Sequence, residues 1–288
     1  MAMNLIIQGK DIPTPTLKQL AKLAHADEIR AWGPQAFCLA GADARRKDAV
    51  AAQCEAQCLD WGYVPEERKL RDFGLLVMDM DSTLITIECI DEIADMLALK
   101  PQVAAITEAA MRGEIDFAES LRRRVSLLRG LQESALARVY EERLRLTGGA
   151  ETLLDAAKRA GVRTLLVSGG FTYFTERLKA RLTLDATAAN TLEIVDGRLT
   201  GRVLGPILDA AGKAARLAEM RATLGLAAAQ VVAIGDGAND LKMMAEAGVS
   251  IAFHAKPVVR AQASYALSFC TLEGVLPLLG EPGSRRAA

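Results

Sequence analysis

Histidine is scarce in this 288-residue chain, which contains only His25 and His254. Two histidines cannot build a His-rich zinc site, and neither lies in a nucleophile-elbow sequence, which argues against a Ser-His-Asp triad. The five cysteines are an odd, scattered set that indicates reduced thiols rather than a disulfide framework. A metal in this protein should therefore be a hard cation that is held by oxygen ligands.

Long apolar runs and an excess of charge are also missing. No apolar stretch approaches the roughly 18 to 20 residues that span a bilayer, and the N-terminus lacks the basic and apolar regions of a secretory signal. The net charge of -1 provides no electrostatic footprint for nucleic acid or an anionic membrane. We therefore expect a cytoplasmic protein that binds neither.

The most informative segment is the apolar run Leu75 to Met78 followed by Asp79 and Asp81. The run predicts a strand that is buried on both faces, and its carboxyl end is where open α/β sheets bind their ligands. Two carboxylates at positions i and i+2 point the same way along a strand and repel unless a cation or a proton intervenes. This pattern predicts a magnesium-assisted nucleophile and acid/base pair. A helix cap by Asp81 or Ser82 is the simpler alternative, but it leaves Asp79 unexplained.

Two further apolar strands end in small polar clusters, at Ser168 to Gly170 and at Gly235 to Asp240. Because parallel strands gather their carboxyl ends on one edge of a sheet, the three clusters should converge. Ser168 and the following amides could cradle a phosphate, and Asp236 offers a third carboxylate to a cation. A dinucleotide site is rejected, because Asp240 replaces the third glycine of that fingerprint and would repel a pyrophosphate.

The order of predicted elements divides the chain into three parts. Residues 1–70 form a small α/β unit with a strand at 5–7, helices at 14–24 and 45–59 and an extended stretch at 28–39, and the charged segment 65–71 is the candidate linker. Residues 88–146 show only helical periodicity, with Asp116 placed to cap one helix. Residues 73–87 and 147–288 alternate strands and helices, including a strand at 163–167 and a hairpin at Asp196-Gly197. The expected fold is α/β, with a doubly wound, mainly parallel sheet and an inserted helical cap.

Four motifs resemble those of the haloacid dehalogenase superfamily: Asp79-x-Asp81-x-Thr83, Ser168-Gly169-Gly170, Lys213 and Gly235-Asp236-Gly237-Ala238-Asn239-Asp240. A closer resemblance, to the bacterial phosphoserine phosphatases, rests on residues 79–84 with Glu88, on 117–128 and on 167–171. It covers roughly residues 73 to 279. The N-terminal unit lies outside it, but its pattern is similar to that of the ACT-like domains found ahead of some bacterial members.

The resemblance implies a catalytic role for each motif. Asp79 would attack phosphorus and form an aspartyl-phosphate, while Asp81 would act as the general acid and then the general base. The side chains of Asp79 and Asp236 and the main-chain carbonyl of Asp81 would hold Mg²⁺. Lys213 and Ser168 would stabilise the transferring phosphoryl group, and Asn239 and Asp240 would orient the metal waters and the lysine. A solvated Lys213 at a helix start is the ordinary alternative.

The resemblance also implies a substrate, O-phosphoserine. Glu88 would meet its ammonium group and Arg124 its carboxylate, although residues 122–124 could also be a solvated helix face. The remaining residues expected to bind substrate are Met111, Phe117, Ser168, Gly169, Lys213 and Asn239. The expected activity is an Mg²⁺-dependent phosphoserine phosphatase at the last step of serine biosynthesis, and a homodimer is one oligomeric state to consider. The alternatives are a related capped phosphatase or phosphotransferase with another small phosphomonoester, and a serine-sensing regulatory protein.

Overall fold

The computed structural model describes residues 2–283. Its N-terminal unit runs β1 (Met3–Gln8), α1 (Thr14–Leu23), β2 (Glu28–Gly33), β3 (Ala36–Ala40), α2 (Lys47–Ala56) and β4 (Asp60–Pro65). The strands pair antiparallel in the order β2-β3-β1-β4, the order of a ferredoxin-like βαββαβ unit. Leu5 and Ile7 of β1 pack against Leu17 and Leu20 of α1. The unit is α/β as expected, and its relation to ACT domains stays a prediction.

One helix of this unit ends earlier than predicted. The periodicity suggested a helix through Leu59, but α2 ends at Ala56, and Cys58 turns the chain with a φ of 53°. Residues 60–65 then alternate between buried and half-buried positions, which is the period of a strand. The mixed aromatic and glycine composition of Trp61, Gly62 and Tyr63 concealed this strand from a helix-based interpretation.

The C-terminal part of the chain begins with β5 (Leu75–Met78), which the sequence predicted with the correct bounds. The helical insertion follows as α3 (Cys89–Asp95), α4 (Lys100–Met111), α5 (Phe117–Ser126) and α6 (Ser134–Arg138). Asp116 caps α5 as predicted, since its carboxylate accepts the Glu119 N–H at 2.7 Å. The segments that enter and leave the insertion run side by side, joined by an antiparallel bridge between Ile85 and Leu146.

The remaining elements alternate strands with helices. They are α7 (Ala150–Arg159), β6 (Arg163–Phe171), α8 (Thr172–Leu182), β7 (Ala186–Val195), β8 (Arg198–Leu204), α9 (Ala210–Thr223), β9 (Val231–Gly235), α10 (Leu241–Ala245), β10 (Val249–Phe253), α11 (Pro257–Arg260), β11 (Tyr265–Leu267) and α12 (Val275–Leu278). The turn between β7 and β8 uses Asp196 and Gly197 at positive φ, which confirms the predicted hairpin.

The strands from β5 onward form a parallel sheet in the order β11-β10-β9-β5-β6-β7, with β8 added antiparallel. The chain leaves β5 toward β6 and later returns to the other side at β9, so the switch point of the doubly wound sheet is at β5. Leu75 and Val77 face one core with α9 and α10, whereas Leu76 and Met78 face the other with α7 and α8. Burial on both faces explains the unbroken apolar run of β5.

The strand β6 extends further than predicted. It was expected to end at Val167, but it continues through the Ser168-Gly169-Gly170 cluster to Phe171. Its pairing with β7 is interrupted between Val167 and Phe171, so the cluster bulges out of an otherwise continuous strand. The three-residue cluster therefore faces the site as a bulge, and the helix α8 begins after it.

The N-terminal unit joins the same sheet through β4 and β11, which bridge at Trp61 and Ala266. The buried carboxylate of Asp60 strengthens this junction by accepting the backbone N–H groups of residues 268, 269 and 270 at 2.7 to 2.9 Å. The five cysteines form no disulfide, which confirms their prediction as thiols. Between residues 2 and 283, no helix is both long and apolar enough to cross a membrane.

Candidate active site

The carboxyl ends of β5, β6 and β9, three neighbouring strands, converge on one cavity as the sequence predicted. Its volume is about 440 Å³, which suits a small-molecule site. Residues from the sheet edge form its floor, and α4 and α5 of the insertion cover it. The predicted site residues that line it are Asp79, Asp81, Glu88, Met111, Phe117, Arg124, Gly169, Lys213, Asp236 and Asn239.

Lys213 is buried on the floor of this cavity rather than solvated. It is 1% exposed, and its ammonium group donates to Asp79 Oδ1 at 2.6 Å and to Asp240 Oδ1 at 2.8 Å. Asp209 caps the start of α9 by accepting the Gly212 N–H at 2.8 Å, which sets Lys213 in the first turn of that helix. The ordinary expectation for a lysine among alanines at a helix start is therefore wrong here.

The electrostatics of this group follow from burial. Burial raises the pKa of Asp79 well above its usual value, the neighbouring Asp240 carboxylate adds to the effect, and Lys213 opposes it. Burial alone would lower the pKa of Lys213, but Asp79 and Asp240 outweigh it and raise that pKa above its ordinary value. The ammonium is therefore charged at neutral pH.

Asp79, Asp236 and Asp240 form a cluster that can hold a cation. One carboxylate oxygen of each lies within 4.8 Å of the others. Burial, together with Asp240, raises the pKa of Asp236 to about 6, and Thr83 Oγ1 orients its carboxylate by donating at 3.1 Å. Clustered carboxylate oxygens suit a hard cation, so the donor set fits the oxygen-held metal that the sequence predicts. The Asp81 side chain lies outside the cluster.

Asp81 is held by two hydrogen bonds of its own. Its Oδ1 accepts the backbone N–H of Cys89 at 2.9 Å, and its Oδ2 accepts from Ser168 Oγ at 3.2 Å. Cys89 is the first residue of α3, but Glu88 occupies the N-cap position of that helix, so the helix-cap alternative for Asp81 is wrong. A Cβ at Gly170 would lie 2.8 Å from Asp81 Oδ2, so this close approach requires a glycine. Burial raises the pKa of Asp81.

The predicted amino-acid recognition residues belong to the insertion, where Glu88 directly precedes α3 and Arg124 lies on α5. Glu88 Oε1 accepts from Ser82 Oγ at 2.8 Å, and Ser82 turns the chain with a φ of 56°. Burial, followed by the charge of Asp81, raises the pKa of Glu88 to about 7. Arg124 lines the same cavity from α5, where its Nε donates to Ser120 O at 3.4 Å. The cavity thus carries one carboxyl group and one guanidinium group from the insertion.

The remaining predicted residues occupy different depths. Phe117 lies over the bulge of β6, where a Cβ on Gly169 would be 3.0 Å from its ring, and Asn239 is an exposed residue that also lines the cavity. Met111 also lines the cavity but is 67% exposed. Ser168 is fully buried and contacts Asp81 instead of lining the cavity.

Sequence reasoning missed two contacts that orient site residues, those of Thr83 and the Cys89 amide. The motif Asp79-x-Asp81-x-Thr83 singled out Thr83, but it did not predict that Thr83 donates a hydrogen bond to Asp236. Nothing in the local sequence identifies the Cys89 N–H as a donor to Asp81, because the contact depends on how α3 is placed.

The comparisons with known proteins agree with this geometry. The family model for haloacid dehalogenase-like hydrolases matches residues 76–245, and a model described as a domain of unknown function (DUF4072) matches residues 5–50. A phosphoserine phosphatase of Polaromonas sp. is 54% identical over 216 residues, which are 73% of this chain and 92% of that protein.

Solved structures extend the likeness. The unliganded crystal structure of a probable phosphoserine phosphatase from Vibrio cholerae is 37% identical with a TM-score of 0.85, covering 96% of this chain and 86% of its own. A structure of the phospho-aspartyl intermediate analogue of phosphoserine phosphatase is 38% identical with a TM-score of 0.67, covering 71% of this chain and 98% of its own. The chain therefore belongs to the haloacid dehalogenase-like hydrolases, in the phosphoserine phosphatase family.

Proposed function

We propose that this chain hydrolyses O-phospho-L-serine to L-serine and inorganic phosphate, as the last step of serine biosynthesis. One observation carries the proposal: a single cavity has the Asp79, Asp81 and Lys213 group on its floor and Glu88 and Arg124 near its insertion side. The first group suits transfer of a phosphoryl group. The second pair matches the ammonium and carboxylate of an amino acid. The family relationship supports the same substrate.

Asp79 is the nucleophile in this proposal. Its free carboxylate oxygen attacks phosphorus, the bond from phosphorus to the seryl oxygen breaks, and an aspartyl-phosphate forms on Asp79. The solved relative with a phospho-aspartyl intermediate analogue supports this step. Lys213 holds the other carboxylate oxygen at 2.6 Å, so the nucleophile is oriented before substrate arrives.

Asp81 moves the protons. Its raised pKa allows the carboxyl group to carry a proton, which passes to the seryl oxygen as that oxygen leaves. The resulting carboxylate then takes a proton from the water that attacks the aspartyl-phosphate, and the bond from phosphorus to Asp79 breaks. The Cys89 N–H and Ser168 hydroxyl keep the carboxylate aimed into the cavity through both steps.

Mg²⁺ is the proposed metal, held by the Asp79 and Asp236 side chains and the main-chain carbonyl of Asp81. When bound, it neutralises charge on the transferring phosphoryl oxygens. Asp240 is shared between this cluster and Lys213, so it would orient the lysine and the waters around the cation. A cation also favours the ionised form of Asp79, which the nucleophile requires.

The insertion 88–146 is proposed as the cap, with 73–87 and 147–288 as the core and 1–70 as the N-terminal domain. The paired segments around Ile85 and Leu146 support placing the cap boundary there. Phe117 and Met111 would close the cavity over the substrate and limit its contact with water. A homodimeric state and a cytoplasmic location stay predictions of the sequence.

Steady-state kinetics test the substrate assignment. Phosphate release should require Mg²⁺, and kcat/KM for O-phospho-L-serine should clearly exceed the values for O-phosphothreonine and a sugar phosphate. Equal kcat/KM values would instead favour a related phosphatase for another small phosphomonoester. Absence of turnover, combined with calorimetric binding of serine to the full chain, would favour the sensing alternative.

A further inference from the structure

Asn190 is a buried side chain of β7 that connects two backbone segments of the active site. It is 2% exposed, and its amide contacts Gly169 on one side and Leu208 on the other. We infer that Asn190 is a positioning residue that fixes the phosphate-facing bulge of β6 relative to the helix that carries Lys213. The kinetic effects expected from this inference rest on the proposed function.

The first contact replaces a missing part of the sheet. The pairing between β6 and β7 stops after Val167 and resumes where Phe171 meets Asn190, so residues 168–170 have no regular partner on β7. Asn190 Nδ2 donates to Gly169 O at 2.8 Å within this gap. The bulge is therefore held by a side chain at the point where ladder hydrogen bonds are interrupted.

The second contact fixes the segment that leads into α9. Asn190 Oδ1 accepts the Leu208 N–H at 2.7 Å, and Nδ2 also approaches Leu208 O at 3.4 Å. The next residue, Asp209, caps α9, and its carbonyl accepts the N–H of Lys213 at 2.8 Å. Asn190 thus binds Leu208, the residue directly before the Asp209 cap that sets the position of Lys213.

Asparagine suits this place because its amide provides two N–H donors and a carbonyl acceptor. An aspartate of the same shape could accept the Leu208 N–H but could not donate to Gly169 O while ionised. An alanine would leave all of these backbone groups without their buried partner. The Asn190→Asp and Asn190→Ala variants therefore separate loss of the donated bonds from loss of the whole bridge.

The expected consequence is kinetic. The bulge and Lys213 line the cavity from two elements and would both contact the phosphoryl group of the proposed substrate. Misplacement of catalytic groups by as little as about 1 Å can cost on the order of 100-fold in rate. We expect both variants to lower kcat at least about tenfold, with a weaker affinity for inorganic phosphate. KM should change less than kcat, because Glu88 and Arg124 do not depend on Asn190.

The test compares Asn190→Asp and Asn190→Ala with Asp60→Asn in the full chain. Asp60 is a matched control, because its buried carboxylate also binds backbone N–H groups of another segment, but at the junction with the N-terminal unit. Measured quantities are kcat and KM for O-phosphoserine, the calorimetric affinity for inorganic phosphate with Mg²⁺, and Tm. The positioning role predicts that Asp60→Asn lowers Tm while its kcat stays within about twofold of the parent.

The inference is overturned if the Asn190 variants keep kcat and phosphate affinity within about twofold, or if Asp60→Asn loses kcat equally at an equal loss of Tm. Should Asn190→Ala not fold, Asn190→Asp and Asn190→Ser provide the comparison, and failure of all three to fold would assign Asn190 to stability alone. If the parent protein does not hydrolyse O-phosphoserine, the proposed function fails separately. Phosphate affinity and p-nitrophenyl phosphate hydrolysis then still test Asn190.

Discussion

The ammonium nitrogen of Lys213 lies 2.6 Å from Oδ1 of Asp79, and both side chains are buried. This ion pair joins the end of β5 to α9, the helix that leads into the neighbouring strand β9. Lys213 binds Oδ1 of Asp79, which leaves Oδ2 for the attack on phosphorus that we propose. Since Lys213 also binds Asp240, a single positive charge orients the proposed nucleophile and one member of the carboxylate cluster.

Replacing Lys213 with methionine should lower kcat by about 10² to 10³-fold, the usual range for loss of one preorganised charge or donor in the transition state. Methionine approximates the length of the stem and removes the charge. Lys242→Met, a change in a lysine of α10 that does not line the cavity, is the control. A Lys213→Met enzyme with kcat within a few-fold of the parent would contradict the role of the ammonium.

Replacing Ser82 with alanine should reduce kcat/KM for O-phosphoserine about tenfold, because the hydroxyl holds Glu88 and a hydrogen bond to a charged group contributes about 1.5 to 3 kcal/mol. Alanine leaves the strain of the positive φ unchanged, since both are L-residues with a Cβ. For 3-(phosphonooxy)propanoate, the analogue without the amino group, kcat/KM should be nearly the same in Ser82→Ala as in the parent protein.

Ser126→Ala provides the matched control for the Ser82 change. The Ser126 hydroxyl donates to Arg123 O on an exposed part of α5, away from Glu88. Equal losses on both substrates in Ser82→Ala would show that the hydroxyl acts on the general geometry of the site rather than on recognition of the ammonium.

The pH dependence should report Glu88. Its pKa is raised to about 7 by burial and by Asp81, so the carboxyl group becomes neutral as the pH falls through that value and loses its attraction for an ammonium. The ratio of kcat/KM for O-phosphoserine to that for 3-(phosphonooxy)propanoate should therefore fall between pH 8 and pH 6. The ratio cancels ionisation of the phosphate itself. It should be flat in Glu88→Gln, and a flat ratio in the parent would refute the assignment.

Stability should reveal the metal cluster. In the metal-free protein the pKa of Asp236 is about 6, above its ordinary value, so this group favours the folded state at low pH and that contribution is lost as pH rises through about 6. Mg²⁺ competes with that proton, so its stabilising effect should grow over the same interval. Calorimetry should give a larger Mg²⁺-induced rise in Tm at pH 7.5 than at pH 5, and little rise in Asp236→Asn. An equal rise at both pH values would contradict this.

The location of the site carboxylates could be predicted from local sequence, and their catalytic roles stay predictions. The apolar run predicts a buried parallel strand, and Asp79 follows that strand directly. It therefore lies at the edge of the sheet where the carboxyl ends of parallel strands meet. The same reasoning found the hairpin at Asp196-Gly197, since the turn needs residues that tolerate positive φ. Family resemblance supplied Glu88 and Arg124, which no local pattern singles out.

Contacts between distant segments could not be predicted in this way. Burial of Lys213, the Thr83 bond to Asp236 and the two-sided amide of Asn190 depend on how helices and loops meet the sheet. The strand β4 was missed because Trp61, Gly62 and Tyr63 form a short alternating stretch directly after a helix. The extension of β6 through Gly170 was missed because glycines commonly mark the end of a strand.

Trapping the covalent intermediate tests the central claim most directly. The enzyme is mixed with O-phosphoserine and Mg²⁺, quenched in acid within milliseconds, reduced with borohydride and mapped by mass spectrometry. We predict that the parent protein contains homoserine in place of Asp79, and that Asp79→Asn shows neither a reduced residue nor turnover. A reduced residue at another position, or phosphate release that persists in Asp79→Asn, would contradict the proposed mechanism.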